Sequence, residues 1–270
     1  MQPSSENGII FAGLMPHAPV LIPEVGQGRE REARATVDAM RLLGERVVAL
    51  KPDRLLLISP HTARRRGAFG VWTDSRIRGD LSRFGTLEVR IDLPNDQELG
   101  TMLNARDVPT WKIAGEALDH GASVPMYFLT RAGWDGLTTL VSLNYPGEGM
   151  LLELGEAIAQ CVKDLPGKTV VIASGDMSHA LIEGAPAGYH PRGAQFDRRF
   201  VDLVKARDYH ALCGIEEELL QVAAEDVVDS TIIACAAAGW RNTGAEFLSY
   251  EGPFGVGYSV GILFDSSTHE

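Results

Sequence analysis

Four of the seven histidines stand where an apolar run ends or begins. His17 follows "IIFAGLMP", His61 follows "LLLISP", His179 follows "TVVIASGDMS", and His120 precedes "GASVPMYFL". Neutral imidazole offers a nitrogen lone pair near physiological pH, which makes histidine both the commonest metal ligand and a ready proton acceptor. Two or three histidines with one carboxylate make a divalent metal site. Prolines stand beside two of these histidines: Pro16 and Pro19 flank His17, and Pro60 precedes His61. Proline fixes its own φ and restricts the residue before it, so less backbone freedom is lost when the ligand is set in place. His17 and His61 are read as metal ligands on this pattern. His190, in "GYHPRG", is a loop residue placed to border a pocket, with Tyr189 beside it. His210 reads as helix surface and His269 as a solvated terminal residue.

A pair of histidines needs a third ligand, and two glutamates are candidates. Glu225 lies in "QVAAEDVVDSTIIACAAAG", among small and apolar residues where an unpartnered carboxylate is costly. Glu251 lies in "SYEGPFGVGYSVGILF", beside a glycine-rich turn. The apolar setting favours Glu225. Asp176, in "SGDMSH", is suited either to capping a turn or to orienting a neighbouring imidazole.

These residues require a scaffold that brings strand ends together. Short apolar runs alternate with longer stretches of three-and-four spacing, the pattern of an α/β fold with a largely buried sheet. The strand candidates are "GIIFAGL", "RLLLIS", "FGVWT", "LEVRI", "VPMYFL", "TTLVSL", "TVVIAS" and "GYSVGILF". Helices are expected over Glu30–Leu50, Asp96–Asn104, Met150–Asp164, Ala194–Lys205, Ile215–Ala223 and Asp229–Trp240. In open α/β sheets the ligand site lies beyond the carboxyl ends of the strands, which is where His17, His61 and His179 are expected.

Composition narrows the class of partner. The chain has 270 residues, 45% of them hydrophobic, and a formal net charge of −11. That balance argues against a nucleic-acid partner, which calls for a basic face, and disfavours an anionic membrane surface. No apolar run is long enough to cross a bilayer, and "MQPSSENG" lacks the basic and apolar regions of a signal peptide. The expected compartment is the cytoplasm. The three cysteines, Cys161, Cys213 and Cys235, are far apart with no CxxC pair, which argues against a cysteine zinc site.

Taken in order, "MPHAPVLIP", "ISPHT", "LDHGASVPMYFL", "SGDMSHALIEGAPAGYHPRGAQFDRRFVDLV" and "AAEDVVDSTIIACAAAG" resemble the class III extradiol ring-cleavage dioxygenases, the LigB-type catalytic subunits. The resemblance runs from about His17 to the terminal "GVGYSVGILF". It implies one α/β domain over residues 1–270, with a central mixed β-sheet flanked by helices. It implies a non-haem Fe(II) centre held by His17, His61 and Glu225, although Asp226 stands here where the family has glycine after the glutamate. It implies that a catecholic substrate and O2 meet at the iron and that both oxygen atoms enter the opened ring. His179, in the "MSH" string, matches the active-site base. His120, in the "DHG" string, matches a further active-site histidine that donates a hydrogen bond to oxygen or substrate. Some members work with a small partner subunit; none is fused here, and a homodimer is the default expectation.

Two other readings compete. Memo-like proteins share the fold but carry cysteine at the glutamate position and act as metal- or partner-binding proteins; this chain has Glu225 there. A zinc hydrolase built on the same ligands lacks support, because no HExxH motif is present. The run Arg64-Arg65-Arg66 beyond His61 offers either a solvated basic loop or an attraction for a carboxylated catechol.

Overall fold

The computed structural model describes residues 8–268; His269 and the segment "MQPSSEN" lie outside the described residues. Continuous apolar runs form strands buried on both faces, as expected for a parallel sheet covered by helices. In β2 (Arg54–Ser59), Leu56 and Ile58 enter the core on one side of the sheet, and Leu55 and Leu57 the core on the other. β8 (Lys168–Ser174) divides in the same way, with Val171 and Ala173 on one side and Val170 and Ile172 on the other. β1 (Gly8–Met15) and β7 (Leu137–Ser142) complete a parallel set, β7-β2-β8-β1, at the middle of an eight-stranded mixed sheet. β10 (Tyr258–Asp265) runs antiparallel to β1, and β9 (Glu246–Glu251) antiparallel to β10. At the other edge β3 (Phe69–Trp72) pairs antiparallel with β7 and parallel with β6 (Thr110–Ile113). A separate hairpin joins β4 (Arg76–Asp80) to β5 (Arg90–Pro94).

Helices cover both faces. After the short α1 (Pro23–Gly26), α2 (Arg34–Ala49) and α4 (His120–Arg131) pack against each other on one side. On the other, α5 (Leu151–Asp164) packs against α8 (Val228–Ala237), with α3 (Gln97–Leu103), α6 (Gly193–Ala206) and α7 (Glu217–Ala223) around them. The result is one α/β domain with a large mixed sheet flanked by helices, as the sequence led one to expect. No helix among the described residues is long and apolar enough to cross a membrane.

One expected strand is a helix. "VPMYFL" belongs to α4, whose residues Gly121 to Leu129 are all buried. A helix enclosed on every side loses its amphipathic stripe and reads like a buried strand. Its start is set by Asp119, whose carboxylate accepts the N–H of Ala122. Arg54 and Asp96 form a buried ion pair at 2.9 Å, and Asp96 also caps α3 through the N–H of Leu99.

Candidate metal centre

Because β1, β2 and β8 are parallel neighbours, their carboxyl ends open at the same edge of the sheet. His17 comes two residues after β1, His61 two after β2, and Asp176 two after β8. The imidazoles of His17 and His61 meet edge to face with centroids 4.6 Å apart. His120, the first residue of α4, stacks on His61 at 4.3 Å. Each of the three offers one ring nitrogen, and these nitrogens lie within 4.8 Å of one another. That spacing is compatible with a single ion.

The carboxylate that faces the pair is Asp226. Its Oδ2 lies 3.0 Å from His61 Nε2 and 3.5 Å from His17 Nε2. Its Oδ1 accepts the N–H of Asp176 at 2.7 Å, and its own N–H donates to the Asp176 carbonyl at 3.1 Å. Asp176 in turn accepts the His17 N–H through Oδ1 at 2.8 Å. The two loops after β1 and β8 are thereby tied to the start of α8. Gly175 permits this approach: a Cβ there would stand 2.3 Å from the Val227 Cα.

Glu225, expected as the third ligand, is engaged at the start of α8. Its Oε2 accepts the N–H groups of Val227 and Val228 at 2.8 and 2.9 Å, satisfying the open end of α8. Burial pushes its carboxyl up to about 8 in spite of those bonds. Glu251 is also engaged elsewhere, on the N–H and hydroxyl of Thr36 at 2.7 and 2.8 Å. The buried setting of Glu225 was legible in sequence; that its Oε2 meets helix N–H groups was not. The carboxylate one residue on was overlooked, although it sits where the family pattern departs to Asp226.

The electrostatics favour positive charge at this point. Burial disfavours the charged form of His17, yet Asp176 and Asp226 outweigh it and raise its pKa to about 9. Burial acts upward on Asp226 too, but His17 and His61 hold it well below the usual carboxylate range. Burial raises Asp176 and Asp119. His120 is pushed down to about 3 by burial and by the two neighbouring histidines. His17 is 1% exposed, and its Nε2 has no hydrogen-bond partner. An orphaned buried nitrogen beside a carboxylate and two more imidazoles fits a divalent metal, which accepts all of these donors.

Of the remaining expected residues, His179 is half-buried and is an electrostatic neighbour of both Asp176 and His120. Its Nδ1 lies 2.8 Å from the Ala224 carbonyl. A carbonyl only accepts, so Nδ1 carries a hydrogen and Nε2 is left as the proton acceptor. Tyr189 is 57% exposed, and His190 Nδ1 accepts the N–H of Arg192 within its own loop; neither of them, nor His179, is among the residues lining the cleft beside His61 and His120. That cleft, of about 610 Å³, opens between His61 and His120 on one side and Phe84 and Arg83 on the other. The Arg64–Arg66 run is not part of its lining. Arg64 donates to the Pro60 carbonyl, Arg65 lies over Trp111, and Arg66 lies over Tyr145.

Comparison with known proteins agrees with this architecture. The chain is 26% identical over 260 residues to protein CA_C1420 of Clostridium acetobutylicum, a match over 92% of this chain and 56% of the relative. The chain therefore spans little more than half the length of that curated relative. The crystal structure of the uncharacterized protein JW3007 from Escherichia coli K12 superposes with a TM-score of 0.63 at 16% identity, over 94% of this chain and 98% of the other, a likeness of fold. Residues 11–261 match the family described as the catalytic LigB subunit of aromatic ring-opening dioxygenase. With nearly the whole described chain inside that match, the protein belongs to the LigB family.

Proposed function

We propose that this protein is a non-haem Fe(II)-dependent extradiol dioxygenase that opens the ring of a catecholic substrate with O2. The observation that carries the reading is the convergence of His17, His61 and Asp226, with the unpartnered Nε2 of His17 facing the carboxylate and His61 reaching the wall of a cleft. Two imidazoles and one carboxylate would hold the ion on one face and leave its other positions open. Bound there, Fe(II) would lower the pKa of a coordinated phenol and bring electron-rich ring and O2 into reach of each other.

The rest belongs to the chain. The cleft beside His61 and His120 admits a planar ring, with Phe84 at its wall 5.4 Å from the His120 ring. An engineered cavity of about 150 Å³ takes benzene, so 610 Å³ leaves room for a substituent beyond the ring. His179, with Nε2 free, is assigned the proton of a substrate hydroxyl. His120 stands beside His61 to hydrogen-bond oxygen or substrate. Asp176 and the N–H groups it joins keep His17 and Asp226 in register, so that little rearrangement is needed on binding.

The test is O2 consumption by protein purified anaerobically and supplied with Fe(II), against a panel of catechols. Uptake with a yellow ring-opened product supports the reading. Absence of both iron binding and O2 uptake overturns it in favour of a binding protein of the same fold.

A further inference from the structure

The hydrogen bond behind His17 has a direction that the surrounding atoms decide. His17 Nδ1 lies 3.0 Å from Ser174 Oγ, and Ser174 Oγ lies 2.5 Å from the Gly121 carbonyl. All three groups are buried. A serine hydroxyl has one hydrogen, and a carbonyl oxygen can only accept. The hydroxyl hydrogen therefore points to Gly121, and Ser174 Oγ can serve His17 only as an acceptor. Nδ1 must carry a hydrogen, so in the neutral, metal-binding form of the ring the lone pair falls on Nε2, the atom that faces Asp226.

The carbonyl is available because of a proline. In α4 the residue that would donate to the Gly121 carbonyl in the i→i−4 ladder is residue 125, and Pro125 has no N–H. The proline leaves an acceptor inside the buried helix, and the Ser174 hydroxyl fills it. Gly121 also allows the close approach, since a Cβ there would stand 2.7 Å from Ser59 Oγ and 3.2 Å from the His61 Cβ. The relay thus runs from Pro125 through Gly121 and Ser174 to His17, and it ties the helix that carries His120 to the imidazole that ends β1.

We propose that Ser174 is a positioning residue that fixes which nitrogen of His17 is presented to the metal, with Pro125 supplying the carbonyl that orients it. The proposal rests on the metal centre assigned above. A partner on the far nitrogen of a ligating imidazole sets its tautomer and ring orientation, and loss of such a partner costs roughly 10–100-fold in metal affinity.

Two variants and two readouts test it, with Zn(II) as a diamagnetic probe. Zn(II) affinity is measured by chelator competition, and the coordinating nitrogen of His17 is read from 15N shifts of the zinc-loaded protein. Ser174→Ala is expected to bind Zn(II) about 10–100-fold more weakly, with the Nε2-bound signature of His17 broadened or replaced. Ser174→Thr keeps the hydroxyl and is expected to restore both. Unchanged affinity and an unchanged His17 signature in Ser174→Ala would overturn the role of Ser174. A wild-type protein that takes up no Zn(II) and no Fe(II) would instead overturn the metal centre itself, and the proposal with it. A merely structural role for Ser174 would lower thermal stability without altering the His17 spectrum.

Discussion

Asp226 and Glu225 are chain neighbours whose carboxylates serve opposite ends of one junction: Asp226 Oδ2 lies 3.0 Å from His61 Nε2, while Glu225 Oε2 lies 2.8 Å from the Val227 N–H. One faces the histidines and the other closes the start of α8. The two functions can be separated by substitution.

Asp226→Ala should abolish stoichiometric Fe(II) binding, as should His17→Ala and His61→Ala. Glu225→Gln should keep the metal. Glu225→Ala should keep it as well while lowering stability by about 1 kcal/mol, the usual cost of a lost helix cap. Iron analysis after gel filtration, paired with urea denaturation, measures both effects. Iron retained at full stoichiometry in Asp226→Ala would reject that residue as a ligand.

His179→Ala should bind iron as the wild type does and lose turnover by about 10²–10⁴-fold, the range for a removed general base. The substitution also removes the Nδ1 contact to the Ala224 carbonyl, so iron content is matched before rates are compared. Steady-state O2 uptake on iron-matched samples is the measurement, and turnover near the wild-type rate would exclude His179 as the base.

Asp197 gives the fold a pH dependence of its own. It is buried; it accepts the Tyr250 hydroxyl at 2.6 Å and the Ser178 N–H at 2.9 Å, and His179 acts on it at longer range. Burial outweighs these and raises its pKa from 3.8 to about 6. A carboxyl raised in the folded state stabilises the fold when protonated. That contribution is full below about pH 4 and is lost as pH rises through 6, by up to roughly 3 kcal/mol. Denaturation of wild type and Asp197→Asn between pH 4 and 7 should show the difference between them change over that window. A constant difference would mean that Asp197 titrates normally.

The Arg54–Asp96 pair should be costly to break from one side. Both residues are buried, so Asp96→Ala strands the guanidinium and removes the cap of α3. A loss of about 3–5 kcal/mol is expected from urea unfolding. Arg54→Met with Asp96→Leu, which removes both charges, should lose less than Asp96→Ala alone.

Gly175→Ala should damage the site without touching a ligand. The added carbon meets the Val227 backbone, so the loop after β8 and the start of α8 must separate. A stability loss of about 1–3 kcal/mol is expected, as for overpacked cores. Weakened metal binding should accompany it, since the same separation pulls Asp226 from His61. Calorimetry with and without Fe(II) would detect both.

The sheet was legible because β1, β2, β7, β8 and β10 are apolar on both faces and short, which few other elements are. His17 and His61 were legible for the same reason, as ionisable residues beside proline at the ends of such runs. α4 was not, because burial on every side erased its periodicity, and His120 was therefore placed before a strand rather than at the head of a helix. β4, β6 and β9 escaped notice because each is short or mixed in polarity at an edge or in the hairpin. The sequence weighed Glu225 against Glu251; that Asp226 is the carboxylate facing the histidines is a matter of side-chain direction that residue types do not settle.

His17, His61 and Asp226 are distant along the chain and adjacent in space, so no fragment that lacks one end can assemble the donor set. A cation that binds only the assembled set stabilises the whole fold by RT ln(1 + [M]/Kd), about 2.7 kcal/mol at a hundredfold excess over Kd. The centre is then also a clasp between the first strand and the last long helix. Loss of the ion would then register in the melting temperature of this protein.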